Sequence, residues 1–325
     1  MEIIIDALNS NQRADKFVRK LLNEAPLSFI YKMFRQKDVK VNGKKVDISY
    51  ILKEDDKVNI YITDTMLEKF HSNPVIRKVK PNLDVIYEDQ NICIVNKPKG
   101  LIVHSDEHEK RITLQNIFIN YLQANGEYDE NKLNGFNPSP AHRLDRNTSG
   151  IVIMAKNLMA MKSLYELFKD KQLIKKTYLL LAYENKSIKN EGVIDLPLKK
   201  DNKTGLVNVC STIKGGKEAL TKYKVLKRYG KYLLIEAELV TGRTHQLRVH
   251  FANIGCPIIG DGKYGNFKVN SEFEQIYGLK NQFLHSHSFK FYKINGFLSY
   301  LSDKEFCAAL PQVLEDVLQG IKNER

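Results

Sequence analysis

The 325 residues are 42% hydrophobic and 27% charged, the balance of a globular chain with room for a large core and two domains. A net charge of +13 with a pI near 9.3 favours a polyanionic partner, nucleic acid ahead of anionic membrane. Four scattered cysteines (Cys93, Cys210, Cys256 and Cys307) without a CxxC pair argue against a disulfide framework or a zinc site. With no apolar run near membrane-spanning length and no signal-peptide layout, a cytoplasmic protein is expected.

Residues 1–75 read as a small separate domain. Ile3-Ile4-Ile5 predicts a strand, and Asn11 or Asp15 is expected to cap a helix carrying Phe17, Leu21 and Leu22 on one face. A second short helix follows over Leu27–Phe34, with Ser28 as its expected cap. Asn42-Gly43 between Val39-Lys40-Val41 and Lys45-Val46 predicts a hairpin, and Lys57–Ile62 a further strand. Lys32, Arg35, Lys37, Lys40, Lys44 and Lys45 gather in the second helix and the hairpin. They form either a solvated surface or one face for phosphates. Leu67–Pro81, with two prolines and Arg77-Lys78-Val79-Lys80, reads as a linker, so residues 76–325 form a second, larger domain that carries most of the positive excess.

That domain opens with a predicted hairpin, Asp84–Tyr87 and Ile92–Asn96, and a sharp turn at Lys97-Pro98-Lys99-Gly100-Leu101. A helix is expected over 112–122 and a polar surface loop over 123–140. Then comes Ala141-His142-Arg143-Leu144-Asp145-Arg146-Asn147-Thr148-Ser149-Gly150, a polar loop feeding the apolar run Ile151–Ala155, which reads as a buried strand. Leu158–Leu173 has the apolar spacing of a helix. Strands are predicted over 175–183, near 221–226 and 233–239, and over 285–292. Residues 241–251 turn into a helix that stops at Gly255 and Pro257. Gly260–Gly265 is a turn, and 310–321 a closing helix. Strands outnumber helices.

Asp145 between Arg143 and Arg146 has two readings: an ion pair that pins the loop, or a nucleophile or acid–base residue at a strand end. Tyr178 in its strand is by residue type alone an ordinary core tyrosine. The histidines predict no metal site. His245 and His250 are five apart and miss the shared helix face of a zinc pair, while His285 and His287 share a strand face without a carboxylate or thiol ligand nearby.

The distant blocks decide between the readings of Asp145. His142–Gly150 resembles the signature motif of the RluA family of pseudouridine synthases. Asn96–Gly100, Lys175-Lys176-Thr177-Tyr178, Thr241–His250, and Gly260-Asp261 with Tyr264-Gly265 resemble the family's other blocks in the same order. Arg13–Phe17 and Asp38–Lys44 resemble the S4 RNA-binding domain, which makes the chain most similar to the RluC/RluD-type members. The resemblance implies an α+β fold: a catalytic domain with a mixed, largely antiparallel sheet flanked by helices, after a small S4-like α/β domain. It also implies isomerisation of a flipped-out uridine without metal or organic cofactor. Asp145 matches the essential aspartate, a carboxylate suited to covalent catalysis. Tyr178 matches the tyrosine that packs on the base, with its hydroxyl a candidate proton acceptor at C5. Arg248 matches the arginine paired with the aspartate, expected as a bidentate fork. Arg143 matches the arginine that fills the space left by the base, Leu247 is expected to line the uracil pocket, and His142 is expected to bind substrate. The partner implied is RNA, 23S rRNA or a large-subunit precursor, met by a monomer with no membrane attachment. Transfer RNA as the substrate is the alternative within the class. A non-catalytic assembly factor would not need Asp145, Tyr178 and Arg248 together. A nucleoside hydrolase would need a second catalytic carboxylate to place water, and none is expected to accompany Asp145 in the blocks.

Overall fold

The computed structural model describes residues 1–5, 9–70, 78–104, 111–129 and 136–323. They fall into two units, one made of residues 1–82, 115–139 and 155–162, the other of 83–114, 140–154 and 163–325.

The first unit begins with β1 (Glu2–Ile4), α1 (Ala14–Leu21), α2 (Leu27–Gln36), β2 (Val39–Val41), β3 (Lys44–Lys45), β4 (Lys57–Ile60) and α3 (Asp64–Phe70). Its sheet runs β1-β4-β2-β3, antiparallel throughout. Phe17, Val18 and Leu21 of α1 and Ile30, Met33 and Phe34 of α2 recur at helical spacing, and they share one core with Val39, Val41, Val58 and Ile60 of the sheet. Asn42 (φ 51°) and Gly43 (φ 74°) supply the two positive φ angles of a type I′ turn, as the dipeptide predicts. Neither expected cap forms. Arg13 occupies the N-cap of α1 without a capping bond, and its guanidinium forks onto Asp15 at 3.0 and 2.9 Å, which draws that carboxylate into an ion pair. Asn11 instead takes a positive φ before the helix. In α2 the N-cap is Pro26, so Ser28 sits inside the first turn. Of the expected linker, Leu67–Phe70 ends α3, and 71–77 lie outside the described residues.

The chain continues through β5 (Val85–Glu88), β6 (Ile92–Lys97), α4 (Leu114–Ala124), β7 (Ser139–Pro140), β8 (Ser149–Ala155), α5 (Leu158–Lys169), β9 (Ile174–Tyr183) and β10 (Glu191–Asp195). Then come β11 (Leu198–Lys200), β12 (Val207–Val209), β13 (Leu220–Tyr229), β14 (Tyr232–Leu239), α6 (Gln246–Asn253), α7 (Phe267–Tyr277), β15 (Leu284–Phe291), β16 (Glu305–Cys307) and α8 (Gln312–Asn323). The large sheet runs β10-β13-β14-β9-β15-β8-β6-β5, with β16 beside β15 and β7 beside β8. β8 lies parallel to β15, whereas β10, β13, β14, β9 and β15 join antiparallel. The sheet is therefore mixed and largely antiparallel, as expected. β8 is buried along its whole length, which explains its unbroken apolar run. Alternation along β9 separates two cores. Tyr178, Leu180 and Ala182 meet Leu247 and Phe251 of α6, while Leu181 meets Phe273 of α7 and Val317 of α8. Helices thus cover both faces. No helix among the described residues is long and apolar enough to cross a membrane.

Helix α7 was not anticipated. Only Val269 and Phe273 are buried along it while Phe267 and Ile276 are exposed, so its apolar period is weak. Its end signals are better: Asn266 caps it by accepting from the Lys268 and Val269 N–H groups, and Gly278 closes it in the left-handed region.

Candidate active site

The signature loop is tethered at both ends. On its far side β8 starts at Ser149-Gly150, in register with His285-Ser286 of β15. Gly150 has φ +107°, and a Cβ there would overlap the Ser286 carbonyl, so only glycine lets the two strands approach this closely. Ser149 Oγ bonds His285 Nδ1 at 2.9 Å, and His285 Nε2 lies 3.2 Å from the Ala308 carbonyl. On its near side the Ala141 N–H donates to the Ile153 carbonyl, and the Ile153 N–H donates to His142 Nε2 at 3.1 Å. The His142 ring stacks on Phe289 and meets the edge of Phe168; burial, helped by Lys176, pushes its pKa down to about 3. The imidazole therefore holds the loop as a neutral acceptor, a different place from the substrate contact expected of it.

The crest of the loop is fixed from β6. The Gly100 N–H donates to the Arg146 carbonyl at 2.9 Å, and Arg146 Nε donates back to the Gly100 carbonyl at 3.1 Å. Beneath them the buried Lys97 ammonium donates to the carbonyls of Pro98 and Leu101 at 2.9 Å and of Arg146 at 3.2 Å. Burial pushes its pKa down to about 7, against the pull of Asp145. Arg146 thus has the structural part that its neighbours allow.

Asp145 meets Arg248 from α6, but not in a two-pronged fork. Arg248 Nη1 donates once, to Asp145 Oδ2 at 2.9 Å. The fork belongs to Asp261, which accepts from Arg248 Nε at 2.7 Å and from Nη2 at 2.8 Å. The reason lies in exposure: the Asp261 side chain is 1% exposed and Arg248 7%, against 27% for Asp145. A buried carboxylate needs all of its acceptor capacity met, and Asp261 also takes the N–H groups of Lys263 and Tyr264. Burial raises the Asp261 pKa, but the Arg248 bonds and charge outweigh it and bring it below the ordinary value. For Arg248, burial lowers the pKa and the two carboxylates, Asp261 ahead of Asp145, raise it. A second carboxylate does stand near Asp145, contrary to expectation, yet it is locked on Arg248 and offers no proton.

Tyr178 lies on β9 opposite Ser286 and Ala237. Burial first, then the Asp145 charge, pushes its pKa up to about 12, with the Ser286 hydroxyl opposing. The group is a neutral phenol near pH 7, able to donate a hydrogen bond. Leu247 is buried in the same core, with Leu144 of the loop packed against it. Arg143 is exposed, and no described residue pairs with it. His245, at the N-cap of α6, points Nδ1 at the Tyr264 hydroxyl (2.9 Å) and Nε2 at Asp145 Oδ2 (3.8 Å).

Sequence reasoning missed Asp261, Lys97, His245 and Tyr264 as parts of this site. Asp261 carried a usable signal: an acid between two glycines in a turn right after the arginine helix. A lysine ahead of Pro-Lys-Gly gives no hint of burial. In the other unit the basic residues named above lie at the surface or half-buried, and Lys40 and Lys45 face each other across the hairpin.

Residues 91–253 match the family model of RNA pseudouridylate synthases, and residues 12–58 that of the S4 domain. An uncharacterised RNA pseudouridine synthase of Aquifex aeolicus is 35% identical over 281 residues, 83% of this chain and 82% of that one. The ribosomal large subunit pseudouridine synthase C of Vibrio parahaemolyticus is 32% identical over 98% of this chain and 95% of its own length. Among solved structures, the human RNA pseudouridylate synthase domain containing 4 shares the fold. It has a TM-score of 0.58 at 22% identity, covering 73% of this chain and 92% of that one.

Proposed function

The chain belongs to the RNA pseudouridylate synthase family, and we propose that it isomerises uridines of large-subunit (23S) ribosomal RNA to pseudouridine in the cytoplasm, with Asp145 as the nucleophile. One observation carries the assignment of Asp145: its carboxylate stands on a loop tethered at both ends, with Oδ2 held by Arg248 and no described residue bonded to Oδ1. A carboxylate held from one side and open on the other is arranged to meet an electrophilic carbon. The ribosomal substrate is supported by the family of relatives named for it, which this chain matches over nearly its full length.

The remaining groups serve a base that must leave its stack, at a cost of a few kcal/mol. The Tyr178 ring offers a face for the uracil, over a floor that includes Leu247. Arg143, exposed and without a described partner, supplies a planar guanidinium to fill the vacated space between bases. Residues 1–75, with their basic helix and hairpin, grip the RNA backbone as a monomeric enzyme docks. The test maps pseudouridines in ribosomal and transfer RNA from cells carrying wild-type protein or Asp145→Asn, which keeps shape and removes the nucleophile. Loss of one or more ribosomal pseudouridines is expected. Loss confined to transfer RNA would move the substrate, and survival of every modification would refute the catalytic assignment.

A further inference from the structure

We infer that His245 is a second positioning residue for Asp145, locked by Tyr264 in the tautomer that carries its proton on Nε2. The inference rests on the reading of Asp145 as the nucleophile and adds which of its oxygens meets the RNA. His245 holds φ at +54°, a left-handed conformation that a β-carbon disfavours. That conformation aims the two ring nitrogens at two different partners, Tyr264 Oη at 2.9 Å and Asp145 Oδ2 at 3.8 Å.

The proton on the ring can be placed by elimination. The Tyr264 oxygen already accepts the Val207 N–H at 2.8 Å. Burial raises the phenol pKa, so near neutrality the hydroxyl keeps one proton to give, and the acceptor facing it is His245 Nδ1. With Nδ1 accepting, the neutral imidazole must carry its hydrogen on Nε2, directed at Asp145. Tyr264 is itself clamped: its N–H donates to Asp261 Oδ1 at 3.1 Å, and the Arg248 guanidinium lies 5.2 Å from its ring centroid. The charged groups facing His245 are Asp145 and Asp261, which favour the imidazolium, and Arg248 and Lys263, which oppose it. Burial, with the two cations, outweighs the carboxylates and lowers the pKa.

Arg248 and His245 therefore converge on the same oxygen, Oδ2. Oδ1 is left as the atom presented to the substrate.

Two measurements test this. Nitrogen-15 spectra of histidine-labelled full-length protein should show His245 with a protonated Nε2 and an unprotonated Nδ1 near pH 7, and Tyr264→Phe should give mixed tautomers. Tritium release from a large-subunit rRNA transcript labelled at uridine C5 should show kcat about tenfold lower in Tyr264→Phe, with KM within about twofold, the size of one lost hydrogen bond. His245→Gln, which can return an N–H near the Nε2 position, should keep more of kcat than His245→Phe. A protonated Nδ1 in wild type, an unchanged kcat in Tyr264→Phe, or equal losses in the two His245 variants would overturn the inference. Should the wild-type enzyme release no tritium from the transcript, the ribosomal reading fails while the spectra still decide the lock.

Discussion

The loop His142–Asn147 and the hairpin β2–β3 are both rich in nearby cations, and apart from the exposed Arg143 of the loop the two regions hold them in opposite ways. Around the loop, Arg248 is forked on a buried carboxylate, Lys97 is surrounded by carbonyls, and Arg146 returns a hydrogen bond to Gly100. On the hairpin, Lys40 stands directly opposite Lys45, with Lys44 exposed beside them, and Lys40 lies 5.0 Å from the centroid of the Tyr61 ring. Like charges facing each other across a strand pair weaken it. The difference separates two uses of charge. Paired, buried charge is architecture and is costly to break, whereas the hairpin lysines form no described ion pair and lie exposed or half-buried.

The largest expected effect breaks the architectural side. Asp261→Ala would leave the Arg248 guanidinium buried with a single bond to Asp145. A loss of about 3–5 kcal/mol in unfolding free energy is expected, the cost of stranding one half of a buried pair. Denaturant unfolding would show it, and a loss below about 1 kcal/mol would mean that the fork is dispensable. Next comes Gly150→Ala. Its Cβ would overlap the Ser286 backbone at a φ that side chains avoid, so a loss of about 2–3 kcal/mol is expected in the same assay. A variant as stable as wild type would show that β8 and β15 can part without consequence.

The contrast also explains what was legible in the sequence. The Asn-Gly hairpin, the buried β8 run and the amphipathic α5 were legible because local pattern and burial agree there. That Asp145, Tyr178 and Arg248 would come near one another could be expected only through their blocks, since they lie on a loop, a strand and a helix distant in sequence. The two-carboxylate arrangement on Arg248 was not. A guanidinium has more donors than one partner uses, and which acid takes the fork depends on relative burial, a tertiary quantity. Ser28 and Asp15 misled for a related reason: both are good capping residues by type, yet Pro26 starts one helix and Arg13 captures the acid at the other.

An intermediate effect concerns pH. Burial pushes His142 down to about 3 and His285 to about 4, so the fold favours both neutral rings over the protonated forms that the unfolded chain takes up first. The stability they contribute is fully present above the unfolded value of about 6.5 and is lost as pH falls through that value towards the folded ones. Tm should therefore drop on acidification from about pH 7 to about pH 4.5. His142→Gln, which keeps an acceptor for the Ile153 N–H and cannot titrate, should drop less steeply over the same window. An identical slope in the variant would detach His142 from the effect.

The smallest effect on stability, and the sharpest test of the other side, is the double change Lys40→Ala with Lys45→Ala. Removing two lysines opposite each other in register takes away their repulsion, no described ion pair and one contact with the Tyr61 ring, so unfolding free energy should stay within about 0.5 kcal/mol of wild type. Binding should respond differently. If each lysine meets one phosphate, the slope of log affinity against log salt should become shallower by about 2, with most of the loss seen at low salt. Conversion at saturating RNA should be unchanged, because the Asp145 site is untouched. Affinity and salt slope equal to wild type would place the RNA elsewhere and leave the hairpin lysines as a solvated face. A fall in stability with no change in binding would reverse the distinction between the two regions, since exposed like charges would then be supporting the fold.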